Sequence, residues 1–393
     1  MKSAAANVVV LSAYGNMQRS GDTQYPFRQN SNFWYVTGLN QPDVVLVMDK
    51  STNSEFLIQP PRSDYEEIFI TDTDAETAAK VSGVSTVLPS AEGWKRLETL
   101  VAKQKSIGIA YPPDSFLEVY SLYTNPAQLR LKKRLMAMGA TEFIDVRQQL
   151  AAQRQVKQAP ELSAIRKAVS ITTDTLNDIY VNLGTFSNER DIDTALYAGY
   201  RSRGADGHSF DPIVASGKNA CVLHYMNNNE PLGSGEFVLV DTGAEVQNYA
   251  ADITRTLPVG EVSKRHKEVY AAVYEAQQIG IAAMKPGTLF KDIDNLVNEF
   301  LTEKLAELKL KPLGDNDLLR SYYPHTWHFM GLDVHDVGDY QRKLETGMVL
   351  TVEPGIYIKA EGIGVRIEDD VLITDNGYEL LSSGFDASLE RLF

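Results

Sequence analysis

Two stretches, FVLVDTGAEVQNYAADITRTL (residues 237–257) and MVLTVEPGIYIKAEGIGVRIEDDVLI (residues 348–373), decide the fold of the C-terminal half of the chain. Each alternates apolar runs with turn residues, which predicts a strand hairpin that carries acidic side chains. We call them the first and the second acidic hairpin. Each follows two long amphipathic helical patterns, Glu161–Asn182 with Glu189–Ser202 and Ser263–Met284 with Leu289–Leu308. The repetition indicates an internal duplication, with helices packed outside a curved antiparallel sheet.

The first acidic hairpin brings two acids together if its turn is centred between residues 246 and 247. Asp241 then faces Asp252 across the ladder. Two like charges directly opposite each other destabilise a sheet, and burial in strands this apolar increases the cost. A single acid in such a strand more commonly points to the solvent, where its charge is screened.

The second acidic hairpin repeats the pattern when its turn is centred between residues 360 and 361, because Glu353 then faces Glu368. Two such pairs in corresponding places indicate a cation between them. Four carboxylates with an imidazole form a hard, oxygen-rich site that suits Mn²⁺, Co²⁺ or Zn²⁺. Two divalent ions would offset the four charges, ionise a water and polarise a carbonyl. The sequence therefore predicts a two-metal hydrolase.

The imidazole is expected from the stretch YYPHTWHFMGLDVHDVGDY (residues 322–340). It holds three of the six histidines of the chain, His325, His328 and His335. A lone histidine is usually a satisfied polar residue, but three within eleven positions beside aromatic residues favour a site.

The remaining histidines and one arginine carry weaker signals. His224, in CVLHYMNNN, precedes the first acidic hairpin and could reach the same sheet, whereas His208 and His266 are interpreted as incidental. Arg366 lies two residues before Glu368, so both should point to one face of the strand. Arg366 could bind a substrate carboxylate or oxyanion, or it could neutralise the nearby acids.

The N-terminal part predicts a separate α/β domain. Residues 1–150 alternate apolar strand patterns, such as Asn7–Ser12, with helical patterns such as Trp94–Lys103 and Pro126–Gly139. The polar stretch QQLAAQRQVKQAPEL (residues 148–162) follows, and Pro160 is well placed to open a helix. We expect two domains, 1–150 and 151–393.

Composition excludes several classes of function. The 393 residues are 43% hydrophobic and 23% charged, as in an ordinary globular protein, and the net charge is −14. This acidity argues against nucleic acid as a partner, because phosphate binding needs a basic surface. No apolar stretch approaches the roughly 20 residues of a membrane span. The single cysteine, Cys221, fits a reducing compartment, so we expect a cytoplasmic protein.

Four motifs give the chain a family resemblance: VDTGAEVQNYAADITRT, HFMGLDVHDVG, LTVEPGIYI and GIGVRIEDD. Together, and in this order, they resemble the pita-bread metallopeptidases, specifically the proline-specific Xaa-Pro aminopeptidases (aminopeptidase P) and Xaa-Pro dipeptidases (prolidases). RSGDTQYPFRQNSNFWYVTGLNQPDVVLVMD (residues 19–49) is similar to the N-terminal domain of aminopeptidase P and creatinase. The resemblance implies an N-terminal α/β domain followed by an α+β pita-bread domain with pseudo-two-fold symmetry.

The resemblance also implies a role for each ligand. Asp241 would hold one metal ion, Asp252 and Glu368 would bridge two ions, and His328 and Glu353 would complete the second site. Mn²⁺ is the expected metal, with Co²⁺ or Zn²⁺ possible. A bridging hydroxide would attack the carbonyl before proline while Glu353 shuttles the proton.

Further residues would form a substrate shell by the same resemblance. His335 and His224 would steady the tetrahedral intermediate and contact the substrate backbone. Arg366 and Tyr357 match positions that line the proline side of the cleft. Asp22 matches a residue that reaches across a subunit interface in aminopeptidase P, which implies a homodimer or homotetramer whose N-terminal domain covers a neighbouring active site.

The sequence leaves the choice of peptide length open. The N-terminal domain favours an aminopeptidase that trims longer peptides, whereas the short link between Glu353 and Glu368 favours a dipeptidase. We prefer the aminopeptidase. A non-catalytic peptide-binding module on the same fold is a remote alternative, because such versions lose ligands that are all present here. His325 lies one residue nearer to His328 than the family pattern has it, so its role stays open.

Overall fold

The chain divides into two compact units, Met1–Gln153 and Arg154–Phe393. The structure, a computed structural model, describes residues 6–61, 73–111, 123–322 and 327–393. None of the helices in these ranges is long and apolar enough to cross a membrane.

The N-terminal unit is built on one six-stranded mixed sheet. Val8–Ser12, predicted from its apolar run, is central: it pairs antiparallel with Val45–Asp49 and parallel with Ser106–Ile109. From one edge to the other the strands are Val87–Leu88, Ser54–Ile58, Val45–Asp49, Val8–Ser12, Ser106–Ile109 and Glu142–Asp145. A separate two-stranded ladder joins Gln18–Ser20 to Thr23–Gln24.

Both faces of this sheet are buried. Successive residues of a strand point to opposite faces, so Val9 and Leu11 belong to one apolar core while Val8 and Val10 belong to the other. Helices cover each face. Ser31–Thr37, Ala75–Ser82 and Arg147–Arg154 contribute to the first core, and Ser90–Lys103 and Pro126–Ala137 to the second.

The C-terminal unit contains the two helix pairs at nearly the predicted positions. Capping explains several of their ends. The Asn188 side chain accepts a hydrogen bond from the amide of Asp191, and Ser263 accepts one from His266. The long helices are Ala159–Val181, Glu189–Ser202, Lys264–Ala283 and Phe290–Glu307, and the short ones are Leu318–Tyr322 and Leu389–Leu392.

The first acidic hairpin has a different register from the predicted one. Its long strands, Glu236–Thr242 and Ile253–Val259, pair so that Asp241 faces Thr254 and not Asp252. The turn lies one residue later than expected, at Gln247 and Asn248, which both have positive φ. Such residues suit the tight turns that match the twist of a hairpin.

Further pairings complete the sheet around this hairpin. Ile213–Ser216 pairs antiparallel with Glu236–Thr242 on the side away from Ile253–Val259. Beyond Gly243 the strands continue as Ala244–Val246, Tyr249–Ala250 and Gly207–His208. The ladder is therefore interrupted at Gly243, where an added Cβ would lie 1.6 Å from the carbonyl oxygen of Ala251.

The second acidic hairpin has the predicted register. Val352 pairs with Asp369 and Gly355 pairs with Arg366, so Glu353 and Glu368 occupy corresponding positions in a break between two ladders. Arg366 is the last residue of its strand, and Glu368 lies beyond it. The strands are Val349–Val352, Gly355–Ile358, Ile363–Arg366, Asp369–Thr374 and Gly377–Leu380.

The two acidic hairpins are joined along their returning strands. The amide of Glu368 donates to the carbonyl of Thr254, and the hydroxyl of Thr256 donates to the carbonyl of Arg366. The buried guanidinium of Arg255 donates to the carbonyl of Glu368 and forms an ion pair with Asp369. These contacts bring the acids of both halves to one place.

Candidate metal centre and substrate shell

Three buried carboxylates converge where the acidic hairpins meet. Asp241, Asp252 and Glu368 are 8%, 4% and 2% exposed. One oxygen of each lies within 4.8 Å of one oxygen of each of the others. Three like charges this close, and this far from water, repel strongly unless protons or cations compensate them.

Each of these carboxylates keeps one oxygen free of hydrogen bonds. Oδ1 of Asp241, Oδ1 of Asp252 and Oε1 of Glu368 are buried and have no hydrogen-bond partner among the described residues. Buried polar atoms normally have partners. Three unbonded oxygens in one cluster are the donor set that a hard cation requires, so the residues present fit a divalent metal ion.

His328 completes a second group of ligand atoms. Its Nε2, an Oε atom of Glu353 and an Oε atom of Glu368 all lie within 4.8 Å of one another. The Nδ1 of His328 lies 3.1 Å from the carbonyl of Phe329, which can only accept, so this nitrogen carries the proton. Nε2 therefore faces the acids, in the orientation that a metal-ligating histidine adopts.

The electrostatics of the cluster show how unfavourable it is without cations. Burial, followed by repulsion from Glu368 and Asp241, raises the pKa of Asp252 well above its usual value. Burial and repulsion from Glu353 likewise raise the pKa of Glu368. Without a cation, the site would take up protons in place of metal.

Arg366 forms an ion pair with one of the clustered acids in this structure. Its guanidinium lies 2.5 Å from Oδ2 of Asp241 and also donates to the hydroxyls of Thr254 and Tyr357. Burial opposes its charge, but Tyr357 and Asp241 favour it, and the pKa of Arg366 lies well above its usual value. In this structure Arg366 therefore offsets the negative charge of Asp241, which is one of the two roles considered from the sequence.

The two candidate substrate histidines are both exposed, and they lie in different segments. The His335 ring centroid is 4.2 Å from that of His328, and a nitrogen of His335 falls in one ligand group with Asp252 and His328. His224 lies in an irregular loop. The next residue, Tyr225, is buried in an apolar cluster with Tyr357.

The remaining residues are Asp22, which belongs to the N-terminal unit, and three further histidines. Asp22 is exposed in the turn between two short strands of the N-terminal unit. His325 falls within residues 323–326, outside the described ranges. His208 packs on Tyr200 with ring centroids 4.8 Å apart, and burial lowers its pKa to about 4. His266 packs edge-on to Phe237 at a helix start.

Sequence reasoning missed Thr254. Its hydroxyl donates to Oε2 of Glu368 at 2.6 Å and accepts from Arg366, so it links the two hairpins inside the site. The period-two alternation of a strand puts Asp252 and Thr254 on one face, and this signal could have found it. Asp370 was also missed: it accepts from the amide of Asp252, and burial raises its pKa.

The motifs match a known family over most of the chain. Residues 163–375 match metallopeptidase family M24, and residues 1–109 match the aminopeptidase P N-terminal domain. The chain belongs to metallopeptidase family M24. This membership confirms the resemblance inferred from the motifs, the pita-bread fold class and the expectation of a metallopeptidase.

Relatives within M24 share nearly the full length of the chain. The Xaa-Pro aminopeptidase of Haemophilus influenzae is 36% identical, over 93% of this chain and 87% of the relative. That of Escherichia coli is 33% identical, over 96% and 90%. Both names favour the aminopeptidase interpretation over the dipeptidase one.

Solved structures agree with these sequence relatives. Aminopeptidase P from Escherichia coli with the inhibitor Pro-Leu superposes with a TM-score of 0.85 at 32% identity, over 98% of this chain and 92% of that one. Proline aminopeptidase P II from Yersinia pestis gives 0.84 at 30% identity, over 98% and 94%. The short link of the second acidic hairpin therefore occurs within an aminopeptidase P fold.

Proposed function

We propose that this M24 protein is a Xaa-Pro aminopeptidase, which removes the N-terminal residue from peptides with proline in second position. The observation that carries the proposal is the cluster of Asp241, Asp252 and Glu368, each buried with one oxygen left unbonded. The names and coverage of the relatives support this function over that of a dipeptidase.

We propose further that the cofactor is a pair of divalent ions, most simply Mn²⁺, with Co²⁺ or Zn²⁺ as alternatives. The oxygen-rich donor set supports hard ions of this kind. When bound, such ions ionise a water and polarise a carbonyl. The residues that would hold them are Asp241, Asp252, His328, Glu353 and Glu368.

Glu353 is proposed to move the proton. It is half-buried, unlike the other three acids, and Oε1 lies 3.5 Å from Nε2 of His328. A carboxylate that borders both the cluster and the solvent can take a proton from the attacking water and return it to the leaving amine. Glu353 would therefore act as both base and acid.

The exposed histidines are proposed to bind the substrate. His335 borders the ligand cluster, so its ring can donate to the oxygen that becomes negatively charged as the bond breaks. His224 would contact the substrate backbone. The Arg366–Tyr357 pair, joined at 2.7 Å, would form the proline side of the cleft.

Proline at the second position explains why a dedicated arrangement is needed. The bond before proline is a tertiary amide without an N–H, so it cannot supply the hydrogen bond with which peptidases usually align a substrate. Histidines directed at the carbonyl, with a pocket shaped for the ring, would replace that alignment.

The role of the N-terminal domain is also part of the proposal. We expect residues 1–150 to cover the active site of a neighbouring subunit in a homodimer or homotetramer, with Asp22 reaching towards the substrate amine. The match of residues 1–109 to the aminopeptidase P N-terminal domain supports this. A cytoplasmic location is proposed from the single cysteine.

The decisive assay compares an Xaa-Pro-Xaa tripeptide with the matching Xaa-Pro dipeptide at saturating Mn²⁺. We expect the tripeptide to be cleaved before proline, and Glu353→Gln to abolish this cleavage without unfolding the protein. Glu361→Gln is the matched control, because Glu361 lies at the tip of the same hairpin and pairs with Arg265. Cleavage of the dipeptide alone would favour the dipeptidase.

A mixing experiment tests the subunit arrangement. Asp22→Asn and Glu353→Gln should each lower activity, but subunits exchanged between the two variants would combine one intact Asp22 with one intact Glu353 in the same site. Activity that recovers on mixing supports a site shared between subunits. Purely additive activities would contradict it.

A further inference from the structure

Glu189 is a fully buried carboxylate that the proposed reaction does not use. It is the first residue of the helix Glu189–Ser202, and its exposure is 0%. A buried charge is costly unless hydrogen bonds satisfy it. The position at a helix N-terminus contributes to that stabilisation, because the helix dipole favours negative charge there.

Five hydrogen bonds converge on this carboxylate, and all of them come from one irregular segment, residues 216–230, which we call the His224 loop. Two donors bind Oε1 and three bind Oε2, so both oxygens serve as acceptors only. The donors are Ser216 N at 2.7 Å, Asn219 Nδ2 at 2.9 Å, Tyr225 OH at 3.0 Å, Asn229 N at 2.9 Å and Glu230 N at 2.9 Å.

The His224 loop has little regular structure of its own. Apart from the 3₁₀ turn Gly217–Cys221, it is irregular between its two ends. Irregular segments are held by the bonds that their backbone and side chains find elsewhere. Glu189 therefore fixes both ends of the loop and, through Tyr225, a point beside His224.

The loop is also seated against the proposed proline side of the cleft. Tyr225 packs with Tyr357 in one apolar cluster, and Tyr357 in turn binds Arg366. In the same cluster, Ala220 of the loop lies so close to the second acidic hairpin that a Cβ on Gly364 would lie 2.3 Å from its carbonyl oxygen. Gly364 therefore lets the loop backbone pack directly against this hairpin.

Only a carboxylate satisfies all five donors. A glutamine in the same rotamer would present one oxygen and one NH₂ group, and the NH₂ would face N–H or O–H donors that need an acceptor. Burial and the neighbouring Glu189 raise the pKa of Tyr225 to about 12, so its hydroxyl remains a donor at neutral pH.

We propose that Glu189 is a positioning residue for substrate binding: it holds the His224 loop so that His224 meets the peptide. The proposal rests on the proposed aminopeptidase function. It makes Glu189 act through His224, not through the metal ligands, none of which lies in the loop.

The test is a double-mutant cycle on Xaa-Pro-Xaa hydrolysis with Glu189→Gln and His224→Ala. We expect Glu189→Gln to lower kcat/KM roughly 10- to 100-fold, as a small misplacement of a substrate contact does, with unchanged Mn²⁺ content. In the His224→Ala background the same substitution should cost no more than about 2-fold, because its effect passes through the missing ring. Tyr225→Phe removes one donor to Glu189 with less risk to folding. It should lower kcat/KM by a smaller factor, and this loss should also nearly disappear in the His224→Ala background.

Asp191→Asn is the matched control. Asp191 accepts hydrogen bonds from Ser187 and Asn188 at the start of the same helix and makes none to the His224 loop. Its variant should stay within about 2-fold of the wild type. Losses from Glu189→Gln and His224→Ala that multiply independently would overturn the positioning role while leaving the aminopeptidase function standing. A wild-type protein inactive on the tripeptide would overturn both.

Discussion

Both acidic hairpins place an acid at a break between two ladders, but their registers differ. In the second, Glu353 and Glu368 stand at matching positions in a break between ladders. In the first, Asp241 remains inside the ladder opposite Thr254, and only Asp252 lies in the break beyond Gly243. The four acids nevertheless converge.

The difference shows what an acid pair requires. Directly opposed like charges in a continuous ladder are unfavourable, and neither hairpin contains such a pair. At a break the backbone leaves the ladder, so a side chain can turn towards a shared centre. In the first hairpin Thr254 occupies the place opposite Asp241, and its hydroxyl supplies a hydrogen bond to Glu368 where a second acid would supply repulsion.

Among the variants in this comparison, the largest effect is expected from neutralising Glu368, one of the two acids in the break of the second hairpin. Glu368 belongs to two of the three ligand groups formed by the described residues. Glu368→Gln should therefore lower kcat/KM by more than about 100-fold, which exceeds the loss usual for residues that only hydrogen-bond to metal ligands. The metal-free variant should unfold at a higher temperature than metal-free wild type, because one repelling charge is gone. Unchanged activity in this variant would contradict the proposal that Glu368 is a metal ligand.

A smaller loss is expected at Thr254. Thr254→Val removes the donor to Glu368 and the acceptor of Arg366, so it should destabilise the fold by about 1–3 kcal/mol and reduce activity. Thr256→Val is the control, since the Thr256 hydroxyl bonds only to the backbone of Arg366 among the described residues. Denaturant unfolding should show similar losses for both. An equal loss of activity in Thr254→Val and Thr256→Val would indicate that Thr254 only stabilises the fold.

The pH dependence of the metal-free protein tests the shared repulsion. The folded-state pKa values of Asp252 and Glu368 lie above their unfolded values. Their protonation therefore stabilises the fold below the unfolded pKa, and that contribution is lost as pH rises through the folded pKa. Thermal unfolding with chelator should show falling stability from acidic to neutral pH. With Mn²⁺ present, stability should instead rise from acidic to neutral pH. Mn²⁺ binding should also release protons, which calorimetry detects as a binding heat that depends on the buffer.

The smallest effect concerns the turn that sets the register of the first hairpin. Gln247 is the strained position in this turn, because it holds φ at 52° without the local hydrogen bonding that lets asparagine tolerate this region. Gln247→Asn should raise the free energy of unfolding by up to about 1 kcal/mol and leave kcat/KM unchanged. A loss of stability would show that Gln247 is not strained in this turn.

Much of the fold could be predicted because its patterns are local. Helical periodicity placed Glu189–Ser202 at its observed bounds, and the apolar run from Val8 predicted the central strand of the N-terminal sheet. The second hairpin has the expected register, and Gly362, which has a positive φ, lies in its turn. The first was misplaced because its turn uses Gln247, a residue that seldom adopts positive φ.

Residues that act through long-range contacts could not be predicted in the same way. In the sequence, Glu189 looks like an ordinary acid in the first turn of a helix. That the His224 loop surrounds it can be seen only in the folded structure. Arg366 was recognised, but its ion pair with Asp241 joins positions far apart in sequence. The clustering of the acids was inferred from their matched places in two halves, which is a symmetry argument and not a local one.

We propose that the two acidic hairpins, together with His328, form a site for two divalent ions that cleaves Xaa-Pro bonds. The most direct test of this proposal is a titration of chelator-treated protein with Mn²⁺, which records bound metal and tripeptide cleavage in the same samples. We expect no cleavage without metal and full activity at two bound ions per chain. Cleavage by the metal-free protein, or an inactive protein carrying both ions, would contradict it.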